Sequence, residues 1–305
     1  SLRPNEPEWF TQLVHMNPEL EKQIYRESGQ TYALGALPRL FWVKNKMPEV
    51  YEKTAMCTMF NDWLIYKMAG VFSSEPSNAC TTGIFDLKAR DWDDQIAASI
   101  SLKTGIFPKI SECGTVVAQV GAKGAEETGL AEGTPVVAGG GDAQLGCVGV
   151  GVVDANQAAI FGGSFWQYEY NTDEAKTDEH CRVRVNCHSV PGIWQYEALA
   201  FKPGMVMRWY RDAFCQYEKE LSKTTGRDPY DLMNEKAKDI PAGCYGMMCA
   251  FSDVMNYISW RHASPMFINF DFDPDKFNRY TFYRAIMENT AMVTYGHMQL
   301  VREST

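Results

Sequence analysis

The sequence predicts a protein of the α/β class, and three observations support this. Segments with the apolar spacing of helices alternate with short apolar runs of strand type along the 305 residues. Both kinds of pattern occur before and after a change in character near residues 152–156. The chain is 45% hydrophobic and 22% charged, a composition that supports a substantial core. Mixed helices and strands of this kind favour an α/β architecture.

The first part of the chain is predicted to be mainly helical. The expected helices cover residues 7–28, 37–51, 61–69, 93–102 and 123–128. Asn61 is the expected N-cap of the third helix, and Gly70 ends it. Gly129 ends the fifth helix in the same way, because glycine readily takes the left-handed backbone conformation that follows many helices.

Strands are predicted mainly in the central part of the chain. They cover residues 134–138, 157–161, 165–170, 183–187 and 193–199. Helices are expected again from 203 to 238 and from about 279 to 301. The change in pattern places a domain boundary after residue 153, which gives domains at 1–153 and 154–305.

Charge and cysteine usage narrow the class of protein. The formal net charge is −9 and no basic run occurs, which argues against a nucleic-acid partner and an anionic membrane surface. Residues 1–30 contain five glutamates and no apolar core, unlike a signal peptide. The nine cysteines form no Cys-x-x-Cys pair, so reduced thiols in the cytoplasm are expected. The sequence leaves the oligomeric state open, with a homo-oligomer as one alternative.

Two groups of metal-binding residue types are interpreted as ordinary structure. The pairs His180-Cys181 and Cys187-His188 flank a segment that alternates like a strand. The two cysteines would lie about 20 Å apart at about 3.3 Å per residue, too far for one ion. The acidic segment 271–275 begins like a calcium loop but lacks its glycine and closing glutamate, so it predicts a turn leading into a helix. No metal held by side chains is predicted.

Asp142 is the first candidate catalytic residue. It follows a predicted strand and the glycines 139–141, and it opens a predicted helix. An aspartate here is a favoured N-cap, which stabilises a helix by about 1 kcal/mol. The same position also suits a catalytic carboxylate, because the helix dipole favours its negative charge and the strand ends of open α/β sheets bind ligands. The residues alone leave both interpretations open.

Gly162, Gly163 and Ser164 form a second candidate site. Gly-Gly is an ordinary hairpin turn. Successive backbone N–H groups in such a turn also bind anions, and the serine adds a hydroxyl donor. A carboxylate base together with a turn that binds phosphate fits phosphoryl transfer, which needs mainly positioning and charge stabilisation from the protein.

Several segments, taken in order, resemble the FGGY carbohydrate kinase family. They are residues 34–42, 62–70, 76–83, 91–92, 129–146 and 161–166. Residues 129–146 read GLAEGTPVVAGGGDAQLG and are similar to the catalytic segment of that family, while 161–166 read FGGSFW and are similar to its phosphate turn. Further details, at 144–147, 163–167, 182–186 and 207–215, resemble members that phosphorylate a linear hydroxylated dione.

The resemblance implies a fold and a reaction. The implied fold has two ribonuclease-H-like domains of the actin-like ATPase type, both incomplete in this chain. Residues 1–153 would be the C-terminal portion of the first domain, on the substrate side. Residues 154–305 would be the N-terminal portion of the second, on the ATP side. The implied reaction uses ATP and Mg²⁺ and transfers the γ-phosphate to a terminal hydroxyl of a small sugar-like substrate.

The resemblance also assigns roles to single residues. Asp142 would accept the proton of the attacking hydroxyl, and the turn at 162–164 (Gly162, Gly163 and Ser164) would hold ATP phosphates. The expected substrate contacts are Gly141, Gln144, Leu34 and Asn78. The family's first glycine turn and its adenosine motif would lie before and after this chain. A fragment without turnover therefore stays open as an alternative. A glycerol or pentulose kinase of the same family is a further alternative.

Overall fold

The computed structural model describes residues 18–30, 36–200, 202–252 and 265–305. The chain divides into two compact units. Unit 1 contains Ser1–Ala159, Tyr170–Glu197 and Ser304–Thr305, and unit 2 contains Ile160–Glu169 and Ala198–Glu303. Each unit is therefore assembled from separate stretches of sequence. The predicted assignment of 1–153 and 154–305 to two kinase domains stays a prediction.

Unit 1 contains eight helices within its described residues. They are α1 (Pro18–Ser28), α2 (Ala36–Lys46), α3 (Pro48–Lys53), α4 (Phe60–Ala69), α5 (Pro76–Ala79), α6 (Asp94–Ser99), α7 (Ala122–Thr128) and α8 (Asp142–Gly149). The prediction of one helix over 37–51 was wrong, because the chain leaves the helical conformation at Met47 (φ −135°, ψ 55°). Proline disfavours a helical conformation in the residue before it, and Pro48 then opens α3.

Local capping explains the bounds of α4. The predicted cap, Asn61, is wrong, since Met59 occupies the N-cap position. The Asp62 carboxylate accepts a hydrogen bond from the Met59 backbone N–H at 2.9 Å and so satisfies a free donor at the helix start. Gly70 ends the helix at φ +70°, as predicted. Gly129 ends α7 at φ +76° for the same reason.

The first six strands form three small two-stranded sheets. They are β1 (Ser73–Ser74), β2 (Phe85–Asp86), β3 (Asp91–Trp92), β4 (Lys109–Ile110), β5 (Val116–Gln119) and β6 (Pro135–Val137). β1 pairs with β4 in parallel, whereas β2 pairs with β3 and β5 with β6 in antiparallel. β6 matters for the site because the glycine segment before α8 follows it directly.

A four-stranded sheet follows in the chain. Its strands are β7 (Ala158–Gly162), β8 (Trp166–Thr172), β9 (Arg184–Cys187) and β10 (Trp194–Ala200), in the order β7-β8-β10-β9. β9 and β10 pair in antiparallel, with Trp194 opposite Cys187 and Glu197 opposite Arg184. All four strands lie within two residues of the predicted positions.

Unit 1 has two described hydrophobic clusters. The larger combines α1, α2, α6 and the segment after α6, and its buried members are Ile24, Leu37, Tyr51, Ile84, Ile96, Ala97, Ile100 and Leu102. The smaller joins Ile65 of α4 to Val120 and Val136 beside the β5–β6 sheet. Full burial of such side chains contributes about 1.5–3 kcal/mol each, which fixes the helices on the sheets.

Unit 2 is mainly helical. Its further elements are α9 (Pro203–Phe214), α10 (Gln216–Thr225), α11 (Pro229–Ala237), β11 (Met248–Ala250), β12 (Met266–Ile268) and α12 (Arg279–Ser304). Its core includes Val206, Tyr210, Met233, Phe251, Tyr283 and Ile286. At the start of α12, Arg279 donates to the buried Glu218 carboxylate of α10 at 2.9 Å.

None of the helices in the described ranges is long and apolar enough to cross a membrane.

Candidate active site

The glycine segment after β6 presents Asp142 at the start of α8. Gly141 occupies the N-cap position with φ −60° and ψ 145°, so Asp142 is the first helical residue and not the cap that its type favours. The Asp142 side chain is exposed, and its Oδ1 accepts the Ala143 backbone N–H at 2.9 Å. An exposed carboxylate at the positive end of the helix dipole can receive a proton from a bound ligand.

Neighbouring side chains pack closely against glycine at two positions of this segment. A Cβ atom on Gly141 would lie 2.1 Å from Oε1 of Gln144, and one on Gly140 would lie 2.7 Å from Oγ of Ser189. Real Cβ atoms essentially never show contacts that short, so a side chain at either position would require these neighbouring side chains to move. The glycines therefore set the path of the backbone that leads to Asp142.

The structure brings the segment of Asn78 to the same turn. Asn78 lies on α5, next to Ser77, and the Ser77 hydroxyl accepts the Gly141 backbone N–H at 2.7 Å across 64 positions of sequence. Asn78 itself is half-buried, and its backbone carbonyl accepts a hydrogen bond from the Thr81 hydroxyl at 2.7 Å. The predicted site residues Asn78, Gly141 and Asp142 thus belong to two connected segments of unit 1.

Glu75 is a functional candidate that the sequence reasoning missed. Its carboxylate is fully buried and caps α5 by accepting the backbone N–H groups of Ser77 at 2.6 Å and Asn78 at 3.0 Å. It also accepts the Ser77 hydroxyl at 2.6 Å and the Cys113 thiol at 3.2 Å. Burial and the Glu75 charge raise the pKa of Cys113 to about 12. Pro76 was the available signal, since proline is favoured at the first position of a helix and so places Glu75 at the N-cap.

Gln144 takes part in a buried network of side-chain amides. Its Nε2 donates to Gln195 Oε1 at 2.7 Å, and Gln195 in turn donates to Asn171 Oδ1 at 3.1 Å and Cys147 Sγ at 3.2 Å. Asn171 closes the network by donating to the Val152 carbonyl at 3.1 Å. The position of Gln195 inside the predicted strand 193–199 was the sequence signal for that residue, whereas Asn171 lies just after the predicted strand 165–170 and carried none. The role of Gln144 as a substrate contact stays a prediction, and Leu34 lies outside the described residues.

In unit 2, the predicted phosphate turn begins at the end of β7. Gly162 is the last residue of that strand, and Gly163 and Ser164 follow as an exposed bend. The Gly163 N–H donates to the Phe165 carbonyl at 2.8 Å. The Trp166 indole covers Gly162 so closely that a Cβ there would lie 2.3 Å from the ring. Trp166 is held in turn by a 2.9 Å hydrogen bond to Thr294 of α12.

The first turn of α9 packs against this bend. A Cβ on Gly204 would lie 1.6 Å from the Gly163 carbonyl oxygen, so only glycine allows the approach. The N-terminal end of a helix carries partial positive charge and free N–H groups, which favour a bound anion. The sequence reasoning missed Gly204, although Pro203-Gly204 at a predicted helix start was visible. Unit 2 thus combines an exposed glycine bend with a helix N-terminus.

A family model matches part of this chain. Residues 8–149, which include α5, the glycine segment and Asp142, match the N-terminal domain of the FGGY family of carbohydrate kinases. Over these residues, the chain is similar to that FGGY domain. The family resemblance inferred from the sequence is confirmed.

Two curated relatives match this chain over more than the family model does. Autoinducer-2 kinase from Enterobacter sp. (strain 638) is 46% identical over 274 residues, which are 90% of this chain and 52% of the relative. Autoinducer-2 kinase from Yersinia pestis bv. Antiqua (strain Angola) is 45% identical over 287 residues, which are 94% of this chain and 54% of the relative. The chain spans about half the length of the curated relatives it matches.

Solved FGGY-type sugar kinase structures share the fold. Xylulose kinase from Rhodospirillum rubrum matches with a TM-score of 0.81 at 19% identity, over 99% of this chain and 59% of that one. Plasmodium falciparum glycerol kinase with ADP matches with a TM-score of 0.80 at 17% identity and the same coverage. At these identities the likeness concerns the fold alone. It confirms the predicted α/β class of the actin-like ATPase type, of which this chain contains a part.

Proposed function

We propose that the chain is the part of an ATP-dependent kinase that carries the catalytic base, acting on a terminal hydroxyl of a small sugar-like substrate. The observation that carries this proposal is the exposed Asp142 carboxylate, which follows a tightly packed glycine segment and opens α8. The 45–46% identity to autoinducer-2 kinases favours autoinducer-2, the linear dihydroxypentanedione, as the substrate.

In this proposal Asp142 accepts the proton of the attacking hydroxyl as its oxygen bonds to the γ-phosphorus. Position and charge are what the protein must supply, since phosphoryl transfer needs little covalent help. Gly141, Asn78, Gln144 and Leu34 are the proposed substrate contacts. Gly141 offers close approach of the backbone. The Gln144 amide is buried and donates to Gln195, so a substrate contact by its Nε2 requires this hydrogen bond to break.

The ATP phosphates are proposed to bind at Gly162, Gly163 and Ser164, beside the first turn of α9. The exposed bend, the Ser164 hydroxyl and the positive helix end fit a polyphosphate chemically. The bend carries no carboxylate, so Mg²⁺ would be held mainly by the phosphates, as is usual for nucleotide magnesium. When bound, the ion neutralises charge on the phosphates during transfer. Residues 1–153 would then serve the substrate and 154–305 the nucleotide.

The proposal is tested by measuring ATP consumption with the dione, glycerol and xylulose, for the wild type and Asp142→Asn. Loss of a general base costs about 10²–10⁴-fold in rate, so we expect kcat to fall by at least about a hundredfold with similar KM values. Asp94→Asn is the matched control, because Asp94 is also an exposed first residue of a helix.

Each outcome separates the alternatives. Turnover that survives in Asp142→Asn removes the catalytic assignment. Turnover of glycerol or xylulose without turnover of the dione identifies a glycerol or pentulose kinase. If the wild type neither turns over ATP nor binds ADP in calorimetry, the chain is a fragment without kinase activity.

A further inference from the structure

The Ser77 hydroxyl connects a buried carboxylate to the backbone directly before Asp142. Ser77 is fully buried, and its Oγ donates to Glu75 Oε2 at 2.6 Å while it accepts the Gly141 N–H at 2.7 Å. A hydroxyl has one proton to donate, so the direction of both hydrogen bonds is fixed by the partners. As a carboxylate, Glu75 accepts the Ser77 proton, and the Gly141 amide can only donate.

Glu75 is itself held in place by other donors. Its oxygens accept the Ser77 and Asn78 backbone N–H groups and the Cys113 thiol, and its side chain has no exposed surface. Hydrogen bonds to a charged acceptor are the stronger ones, particularly away from water. These donors hold the Glu75 carboxylate in place, and the carboxylate in turn orients the Ser77 hydroxyl that accepts the Gly141 N–H.

We infer that Glu75 and Ser77 are positioning residues that fix the orientation of Asp142 through the Gly141 backbone, an inference that rests on the proposed function. Gly141 is the N-cap of α8 and has no side chain of its own to hold the turn. Its N–H bond to the Ser77 hydroxyl restrains the turn from α5. Errors of about 1 Å in the placement of a catalytic group can cost about a hundredfold in rate.

Ser77→Ala tests this inference, because it removes one oxygen and creates no clash. Ser73→Ala is the matched control: Ser73 is also a buried serine of the same segment, but its hydroxyl pairs with Ser111 Oγ at 3.2 Å. We expect kcat to fall about tenfold or more in Ser77→Ala, with KM values for both substrates within about twofold of the wild type. Ser73→Ala should retain the wild-type kcat.

A second measurement does not depend on turnover. Amide hydrogen exchange at Gly141, followed by NMR on protein labelled with ¹⁵N-glycine, should accelerate about tenfold in Ser77→Ala and stay unchanged in Ser73→Ala. An unchanged Gly141 exchange rate, or a kcat that falls equally in both variants, overturns the inference. If the wild type has no turnover, the proposed function fails. In that case exchange at Gly141 alone decides whether Ser77 fixes the turn.

Discussion

At the scale of single residues, two aspartates at helix starts have opposite environments. Asp142 is exposed at the first position of α8, whereas Asp62 is fully buried in the first turn of α4. Burial raises the pKa of Asp62 to about 6, although the Met59 N–H bond opposes that shift. The same residue type thus serves the capping of one helix and, in the proposed reaction, proton transfer at another.

The raised pKa of Asp62 predicts an unusual pH dependence. Because the folded state binds this proton more tightly than the unfolded chain, whose pKa is near 4, stability from this group is lost as pH rises from about 4 to about 6. Asp62→Asn keeps the oxygen that accepts the Met59 N–H and removes the titration. We expect the free energy of unfolding of the wild type, relative to Asp62→Asn, to fall by about 2 kcal/mol between pH 4.5 and 7.

Urea unfolding at both pH values measures this difference. Asp93→Asn is the control, since Asp93 also accepts helix N–H groups through its carboxylate but is only half-buried. A difference between wild type and Asp62→Asn that does not change with pH would show that Asp62 titrates normally.

At the scale of elements, glycines fix where helices end and how closely they approach. Gly70 and Gly129 could be predicted from sequence because a helix end with positive φ is a local property. The requirement for glycine at position 124 could not be predicted from sequence, because it comes from the packing of α7 against α4. A Cβ on Gly124 would lie 2.0 Å from the Met68 carbonyl oxygen.

This contact predicts that Gly124→Ala destabilises the packing of α7 on α4. Glycine to alanine normally stabilises a helix interior by about 1 kcal/mol, but the clash with rigid backbone should reverse the sign. We expect a net loss of about 1–3 kcal/mol in thermal or urea unfolding. Gly121→Ala, at the open N-cap of the same helix, is the control and should change stability by less than about 1 kcal/mol. Equal effects of the two substitutions would contradict the packing argument.

At the scale of the whole molecule, the chain divides into two units, and each has described hydrophobic clusters of its own. The clusters around Ile24 and Ile65 lie in unit 1, and that around Tyr210 lies in unit 2. Local destabilisation spreads through shared buried contacts, so each unit should respond mainly to changes in its own core.

Hydrogen exchange with mass spectrometry on the full chain tests this independence. Gly124→Ala should raise exchange in peptides from α4 and from residues 116–137, whereas peptides from α9 and α12 should keep their wild-type rates. Equal acceleration in all of these peptides would show that the two units unfold together.

The sequence by itself determined the fold class, most elements and the family resemblance. Strands, helix ends and the GGGD and GGS segments follow from local pattern and turn chemistry, and their order carried the family resemblance. The same locality explains the errors at Met47 and Asn61, where proline geometry and a competing carboxylate decided the helix bounds.

Only the tertiary structure decided which distant residues support the candidate site. Ser77 accepts the Gly141 N–H across 64 positions, Gly204 lies against Gly163, and Gln144 bonds to Gln195. Such contacts leave no periodic signal, because a hydrogen bond or a close approach depends on where two segments of the chain are placed in space. The sequence therefore indicates the chemistry of the turns, while the packing around them determines how firmly each one is held.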